Sequence, residues 1–259
     1  MLKALSHPLT RGIDVDDPRS TLLRRQIIQS KPFLRQLYAE WYERICSRLP
    51  ADPRVVLEIG SGAGFLKEYL PDLITSEVFE LDGVDRVEDA TALSFDESSL
   101  DAIVMTDVLH HIPDVSLFFA EAARTLKSGG RLLMIEPWRT HWSQWVYQHL
   151  HPEPFRPDAR DWQLPPGGPL SGANGAIPWM VFDRDRAEFQ RRFPELEIVS
   201  IAGLMPLSYL ASGGVSMRAL APGRAYRTVR ALERGLLHER GAMFAFIELR
   251  RGPRGESAP

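Results

Sequence analysis

Apolar residues recur along this chain in two rhythms. From 16 to 49 the rhythm is helical. Asp16 and Asp17 precede Pro18, a combination that starts helices, and after Pro32 the residues Phe33, Leu37, Trp41 and Ile45 fall every four positions and line up one apolar face. From 55 to 136 short apolar runs alternate with helical stretches. VVLEI (55–59), LITSE (73–77), RVEDA (86–90), DAIVMTD (101–107) and RLLMIE (131–136) read as strands, while Ala63 to Leu70 and residues 114 to 127 read as helices. The second of these carries Phe118, Phe119 and Ala122 on one side, and Gly129-Gly130 stop it. Apolar strands alternating with helices predict an α/β fold with a parallel sheet covered on both faces. Strand patterns return at LEIVSIAGL (196–204) and MFAFIEL (243–249), on either side of a mostly helical region.

The segment between the fifth and sixth strands differs from both rhythms. Residues 151 to 179 hold seven prolines and four glycines, with Phe155, Trp162 and Trp179 among them. Structureless stretches of this length are usually functional lids or disordered, and the aromatic residues give this one something to pack with, so an ordered lid is predicted. The expected organisation is an N-terminal helical cap over 1–50 and one domain over 51–259, with 138–182 as a lid or substrate insertion. The end, RRGPRGESAP, reads as frayed.

Composition narrows the partners. The chain has 259 residues, 44% of them hydrophobic, a net charge of −3 and one cysteine, Cys46. The charge balance points to neither nucleic acid nor an anionic membrane. One cysteine excludes an internal disulfide framework, and a reducing compartment fits. The start, MLKALSHPLTRG, lacks a signal peptide's apolar core, and no run is long enough to span a bilayer. A cytoplasmic protein with no membrane or nucleic-acid partner is expected, and its oligomeric state is left open, a homo-oligomer included. Arginines from Arg218 to Arg254 outnumber the glutamates there, which raises an RNA reading. They are spread among acids and apolar residues with no RNA-binding signature, so a solvated helix face fits better.

The candidate chemistry begins at VVLEIGSGAGFL (55–66). Glycines here free backbone N–H groups for a close ligand. The dinucleotide fingerprint would need a third glycine at 65, where Phe65 stands; the spacing is instead Gly60, Gly62, Gly64. Glu58 inside an apolar strand is costly to bury without a partner. A cationic ligand group would supply one, and satisfaction by local backbone is the alternative.

This stretch, followed by VEDATALSFDESSLDAIVMTDVLHHIPD and then LKSGGRLLMIEPW, resembles the class I S-adenosylmethionine-dependent methyltransferases, and within them the branch acting on small molecules. The resemblance covers roughly residues 50 to 137. It implies a Rossmann-like, seven-stranded, mostly parallel sheet of order 3-2-1-4-5-7-6 with the last strand antiparallel, and S-adenosyl-L-methionine as cofactor. It implies that Glu58, Gly60, Ser61 and Gly62 surround the methionine end, that Asp89 and Ala90 meet the adenine, and that Asp107 lies beside the sulfonium. Turn or capping roles for Asp89 and Asp107 are the alternatives. The family places a helix between the second and third strands. Only Val78 to Asp85 is available here, too short for the usual crossover, so an abbreviated connection is expected. The acid for the ribose hydroxyls is then Glu77, with Glu80 and Asp82 as rivals.

Methyl transfer needs a positioned nucleophile, a dry pocket and, for some acceptors, a base. His110-His111 follows the fourth strand and Glu136 ends the fifth, both at the carboxyl edge where open α/β sheets place ligands. HLHPEPF (149–155) adds His149, His151 and Glu153, with three readings: a substrate lid, a structural loop or a metal site. No further ligand motif accompanies them, so no metal is expected. The candidate bases are His111, Glu136 and His151. The expected reaction is methyl transfer to an oxygen, nitrogen or carbon of a small-molecule acceptor, such as a glycan precursor or specialised metabolite. A non-methylating reaction, a binding module without turnover and RNA methylation stand as alternatives.

Overall fold

The computed structural model describes His7, Leu9, Asp14 and residues 16–168, 170–237 and 240–253. Its centre is a seven-stranded sheet of order β3-β2-β1-β4-β5-β7-β6. The strands are β1 (Val56–Ile59), β2 (Ile74–Glu77), β3 (Arg86–Val87), β4 (Leu100–Thr106), β5 (Leu126–Pro137), β6 (Leu196–Leu204) and β7 (Phe244–Arg251). β1 to β5 pair in parallel, and β7 runs antiparallel between β5 and β6. This is the predicted order with the predicted reversed strand. Leu57, Ile103, Val104, Leu133 and Ile135 are wholly buried. Central strands covered on both faces read as unbroken apolar runs, which is why the sequence pattern marked them.

Side chains alternate across β7 and show what covers each face. Phe244 and Phe246 meet α2 (Pro32–Cys46): the Trp41 ring lies 4.8 Å from Phe244, and the Arg44 guanidinium sits 5.2 Å over Phe246. Arg251, of opposite parity, donates to the carbonyl of Ala123 in α3 (Val115–Thr125) at 2.7 Å. On that side Phe119 of α3 centres a ring cluster with Phe118, Phe182, Phe189 and Phe193. α1 (Pro18–Ser30) starts where the sequence predicts, with Asp17 accepting from the Arg19 N–H at 2.9 Å. Two later helices, α7 (Ser208–Ser212) and α8 (Tyr226–Leu232), join α2 to the C-terminal third. Tyr226 donates to Glu40 at 2.7 Å, and Arg230 bridges Glu40 and Glu233.

The insertion after β5 is ordered. It begins with α4 (His141–Leu150) and ends with α5 (Ile177–Trp179), a wide turn over Met180–Arg184 and α6 (Arg186–Arg192). Between them the proline-rich stretch buries Phe155 and Trp162. Trp162 donates to Asp185 at 2.9 Å, Leu164 N–H to the Pro113 carbonyl at 2.8 Å, and Asn174 N–H to the His110 carbonyl at 3.0 Å. These bonds tie the segment to the carboxyl ends of the strands.

Two expectations need correction. The helix read over Ala63–Leu70 is a single 3₁₀ turn, Leu66–Glu68. The cause lies in α2. Phe65 N–H donates to the Tyr42 hydroxyl at 3.3 Å, the Phe65 ring packs 4.9 Å from Tyr42, and a Cβ on Gly64 would stand 2.6 Å from that hydroxyl. Tyr42 of α2 thus packs against Phe65 and fills the space beside Gly64. The third strand, read over 86–90, is two residues long and exposed at the sheet edge. The β2–β3 connection carries no helix, as its length required.

Phe119 is fully buried against four rings. Phe119→Ala is expected to destabilise the fold by about 3–5 kcal/mol, read as a lower denaturant midpoint at unchanged slope.

Candidate active site

The glycine turn leaves β1 through Gly60, whose φ is +69°, and a Cβ there would meet Val108 at 2.5 Å. Both facts demand glycine. Gly62 N–H donates to Glu77 Oε1 at 3.0 Å, and Val78 N–H to Glu77 Oε2 at 3.2 Å. A Cβ on Gly62 would stand 2.4 Å from both that oxygen and Thr21 of α1, so the helix closes down on the turn. Arg25, also on α1, donates to the Gly62 carbonyl at 2.9 Å. Ser61 stitches β1 to β2: its hydroxyl donates to the Glu58 carbonyl at 3.1 Å and accepts from Ser76 N–H at 3.1 Å.

A cavity of about 330 Å³ opens over the carboxyl ends of β1 to β4. Of the eight residues assigned to cofactor binding, it brings together Gly60, Glu77, Asp89, Ala90 and Asp107. Glu58, Ser61 and Gly62 are not among its lining residues. Glu58 is buried, and burial, with the Glu77 charge adding to it, pushes its carboxyl up to about 7. The rivals Glu80 and Asp82 line a separate surface groove beside Pro18 and Leu22, so Glu77 alone of the three reaches the cavity. Asp89 Oδ1 accepts from the N–H and hydroxyl of Thr91 at 2.8 and 2.7 Å, an Asx turn that fixes the carboxylate at the cavity edge.

The other end of the cavity is built where β4 and β5 stop. Asp107 has φ +64°, turning the chain out of β4. Burial raises its carboxyl to about 7, and the His110 ring, with Nε2 3.9 Å from Oδ1, works against that rise. Glu136 is not on the cavity. It is wholly buried, accepting from Val108 N–H and Leu109 N–H at 2.8 Å each through Oε1 and from His110 Nδ1 at 2.9 Å through Oε2. Three donors occupy it, so the acid read as a candidate base is a positioning group for residues 108–110. The expectation failed because strand position shows where an acid sits and not what it holds.

His111 and His151 do line the cavity, joined by Glu153. His111 Nδ1 lies 3.2 Å from the Gly172 carbonyl, so Nδ1 carries the proton and Nε2 faces Glu153 at 3.9 Å. Burial, then the charge of His110, lowers this imidazole to about 4. His151 Nδ1 accepts from Glu153 N–H at 3.3 Å, and burial lowers its pKa as well. Burial alone would lower His110, yet the Glu136 hydrogen bond, the Glu153 contact and the Asp107 charge hold it well above the usual histidine range. Glu153 sits among three rings, 3.4 Å from His110 Nε2 and 3.9 Å from His151 Nδ1, and their charges hold it well below the carboxylate range against burial. Glu153 stands in HLHPEPF and was visible as a candidate ligand. Thr21, Arg24, Tyr38 and Tyr209 also line the cavity, and no local pattern marks them.

Residues 57–134 match the family described as "Methyltransferase domain". A curated relative, the mitochondrial 2-methoxy-6-polyprenyl-1,4-benzoquinol methylase of Arabidopsis thaliana, is 30% identical over 139 residues, covering 51% of this chain and 43% of its own. The chain thus spans less than half of that relative. In fold it is similar to geranyl diphosphate C-methyltransferase from Streptomyces coelicolor A3(2), at 16% identity and a TM-score of 0.54 over 95% of this chain and 91% of that one. It is similar also to a chain of a Haloferax volcanii complex between a methyltransferase activator and a methyltransferase, at 14% identity and a TM-score of 0.55 over 95% and 100%.

Glu58 yields a pH prediction. Its folded pKa of about 7 exceeds its ordinary 4.5. The folded state therefore holds the proton more tightly, so the carboxyl's contribution is fully present below about pH 4.5 and drains away up to about pH 7. Glu58→Gln removes that loss. Its stability relative to the parent should rise by up to about 3 kcal/mol between pH 4 and pH 8, measured by urea unfolding at both. A difference that does not change with pH would mean that Glu58 ionises at no cost.

Proposed function

We propose that this chain, a class I S-adenosylmethionine-dependent methyltransferase by its domain and fold, transfers a methyl group to an oxygen, nitrogen or carbon of a small-molecule acceptor. One observation carries the reading. Glu77 holds the glycine turn by Gly62 N–H and faces the same cavity as Asp89, Ala90 and Asp107. The cavity's size falls in the range of small-ligand sites. Each Glu77 oxygen keeps a lone pair beyond its backbone bond, enough to accept from the hydroxyls of a ribose. Asp89 would accept from the adenine amine, and the Ala90 backbone would meet the ring. Asp107 would stand beside the methionine part. Glu58, Ser61 and Gly62 shape the turn from behind.

The cofactor, when bound, supplies an electrophilic methyl group on a sulfonium. The chain's part is to position, to exclude water and to receive a proton where the acceptor gives one up. His111 presents an unprotonated Nε2 to the cavity. A ring held near 4 is a weak base, so its contribution is orientation and hydrogen-bond acceptance. His151 contributes shape at the same end. Gly167, Gly168 and Leu170 of the insertion close the wall there, with Tyr38 and Tyr209. A partly closed, partly aromatic wall favours a small acceptor over a polymer. The benzoquinol relative, whose name states a small-molecule substrate, supports the same choice.

Calorimetry should show S-adenosylmethionine and S-adenosylhomocysteine binding the purified chain. Glu77→Ala should weaken both by at least about ten-fold, the loss of a charged hydrogen-bond acceptor. A labelled-methyl screen against cell extracts should then yield a labelled small molecule together with S-adenosylhomocysteine. No heat with either compound on folded protein would refute the cofactor assignment; by-product without methylated product would refute the transfer.

A further inference from the structure

We propose that His110, His111 and Glu153 form a site for one first-row divalent transition-metal ion, with open positions toward the cavity for an oxygen or nitrogen donor of the acceptor. This reverses the expectation that HLHPEPF binds no metal. Three observations carry it.

Both imidazoles are set as metal-binding histidines are. Each commits Nδ1–H to a fixed acceptor, His110 to Glu136 Oε2 at 2.9 Å and His111 to the Gly172 carbonyl at 3.2 Å. Such outer partners orient the ring and leave Nε2 as the ligand atom, the ion displacing the proton that His110 Nε2 otherwise turns toward Glu153. Second, Nε2 of His110 is buried and makes no hydrogen bond among the described residues, although Glu153 Oε2 lies 3.4 Å away. A buried polar atom without a partner costs about 1–3 kcal/mol, and such atoms are rare enough to need a reason. A bound ion supplies one. Third, the three ligand atoms lie within 4.8 Å of one another. Metal–ligand bonds of about 2.0–2.2 Å set ligand separations near 3–3.5 Å, so rotations of about an ångström close the set. Glu153 lies on the insertion rather than on a strand, so its side chain is the one placed to move.

Two imidazoles and one carboxylate suit zinc, iron or cobalt, whereas magnesium and calcium prefer oxygen alone. His151 is outside the set, because its Nδ1 accepts the Glu153 N–H. Asp107 Oδ1, 3.9 Å from His110 Nε2, is the adjacent oxygen. Ion binding does not depend on the methyl-transfer reading. The ion's role does: bound to an acceptor hydroxyl, it would lower the hydroxyl's pKa, with His111 Nε2 serving as a ligand to the ion in place of a hydrogen-bond acceptor.

The test uses the untagged 259-residue chain, stripped by chelation and titrated with Co²⁺. About one equivalent should bind, with a visible d–d band and a higher melting temperature; Zn²⁺ should displace it. His111→Ala and Glu153→Gln should each weaken Co²⁺ binding at least about ten-fold, while His149→Ala, exposed and bonded to the Trp145 carbonyl, should leave it unchanged. Circular dichroism of each variant reports folding. Should His111→Ala not fold, the near-isosteric Glu153→Gln carries the test. Binding far below one equivalent, or binding indifferent to both substitutions, overturns the site. Methyl transfer undiminished in stripped protein overturns the ion's role toward the acceptor. Binding of S-adenosylhomocysteine, followed separately, distinguishes failure of the metal site from failure of the reaction.

Discussion

The site depends on one buried carboxylate. Glu136 lies at the end of β5 with no exposed surface, an arrangement tolerable only because three donors converge on it. Two are backbone N–H groups of the segment leaving β4, and the third is the ring of His110. This fixes the exit of one central strand to the end of its neighbour, and it sets the His110 ring with Nε2 toward Glu153 and Asp107. The left-handed turn at Asp107 is the other half of the same bend. Remove the acid and two buried N–H groups lose their partner, the imidazole loses its orientation, and the acidic groups beyond it lose their counter-charge. The geometry around His110, Asp107 and Glu153 therefore traces back to a residue that does not line the cavity.

The glycine-turn end of the cavity is held by different means. A parallel sheet of this kind ordinarily covers its first strands with crossover helices, yet here the one after β1 is a single turn and the one after β2 is missing. α1 and α2 take over that work. α2 supplies Tyr42 to hold Phe65, and α1 supplies Thr21 above Gly62 and Arg25 to its carbonyl. The N-terminal helices are thus packed into the binding turn and, through Glu40 and Arg230, into the C-terminal third. A ligand entering this cavity meets a roof from the start of the chain and a side wall from the insertion.

What was legible in the sequence follows from range. The strands came through because buried parallel strands are continuous apolar runs whatever lies around them, and their order came from the family resemblance. Glu77 could be chosen over Glu80 and Asp82, since a short connection leaves only the strand end near the glycine turn. The Ala63–Leu70 helix was misread because local propensity cannot see Tyr42, twenty-three residues from Phe65, packing against that turn. Glu136 was misread for the same kind of reason: its three donors belong to another strand's exit. Glu153 was seen but not placed, and Arg24 was not seen at all, because both reach the site by packing rather than by pattern.

The balance of charge around the cavity says what it is built to receive. Glu77, Glu88, Asp89, Asp107 and Glu153 line it, and Arg24 is the one guanidinium among the lining groups. In a space partly closed to water such an excess of carboxylates favours a cationic occupant and disfavours an anionic one. The carboxyl of Asp107 expresses the same tension, since burial raises it against the pull of the His110 charge. On the proposed reading a donor carrying a sulfonium and an ammonium relieves it beside Glu77 and Asp107, and an imidazolium or a bound ion relieves it around Glu153. On the proposed reaction the sulfonium charge disappears with the methyl group. The wall that favours the donor then favours its neutral-sulfur by-product less, and the same carboxylates that gather the reactant help to release what remains of it.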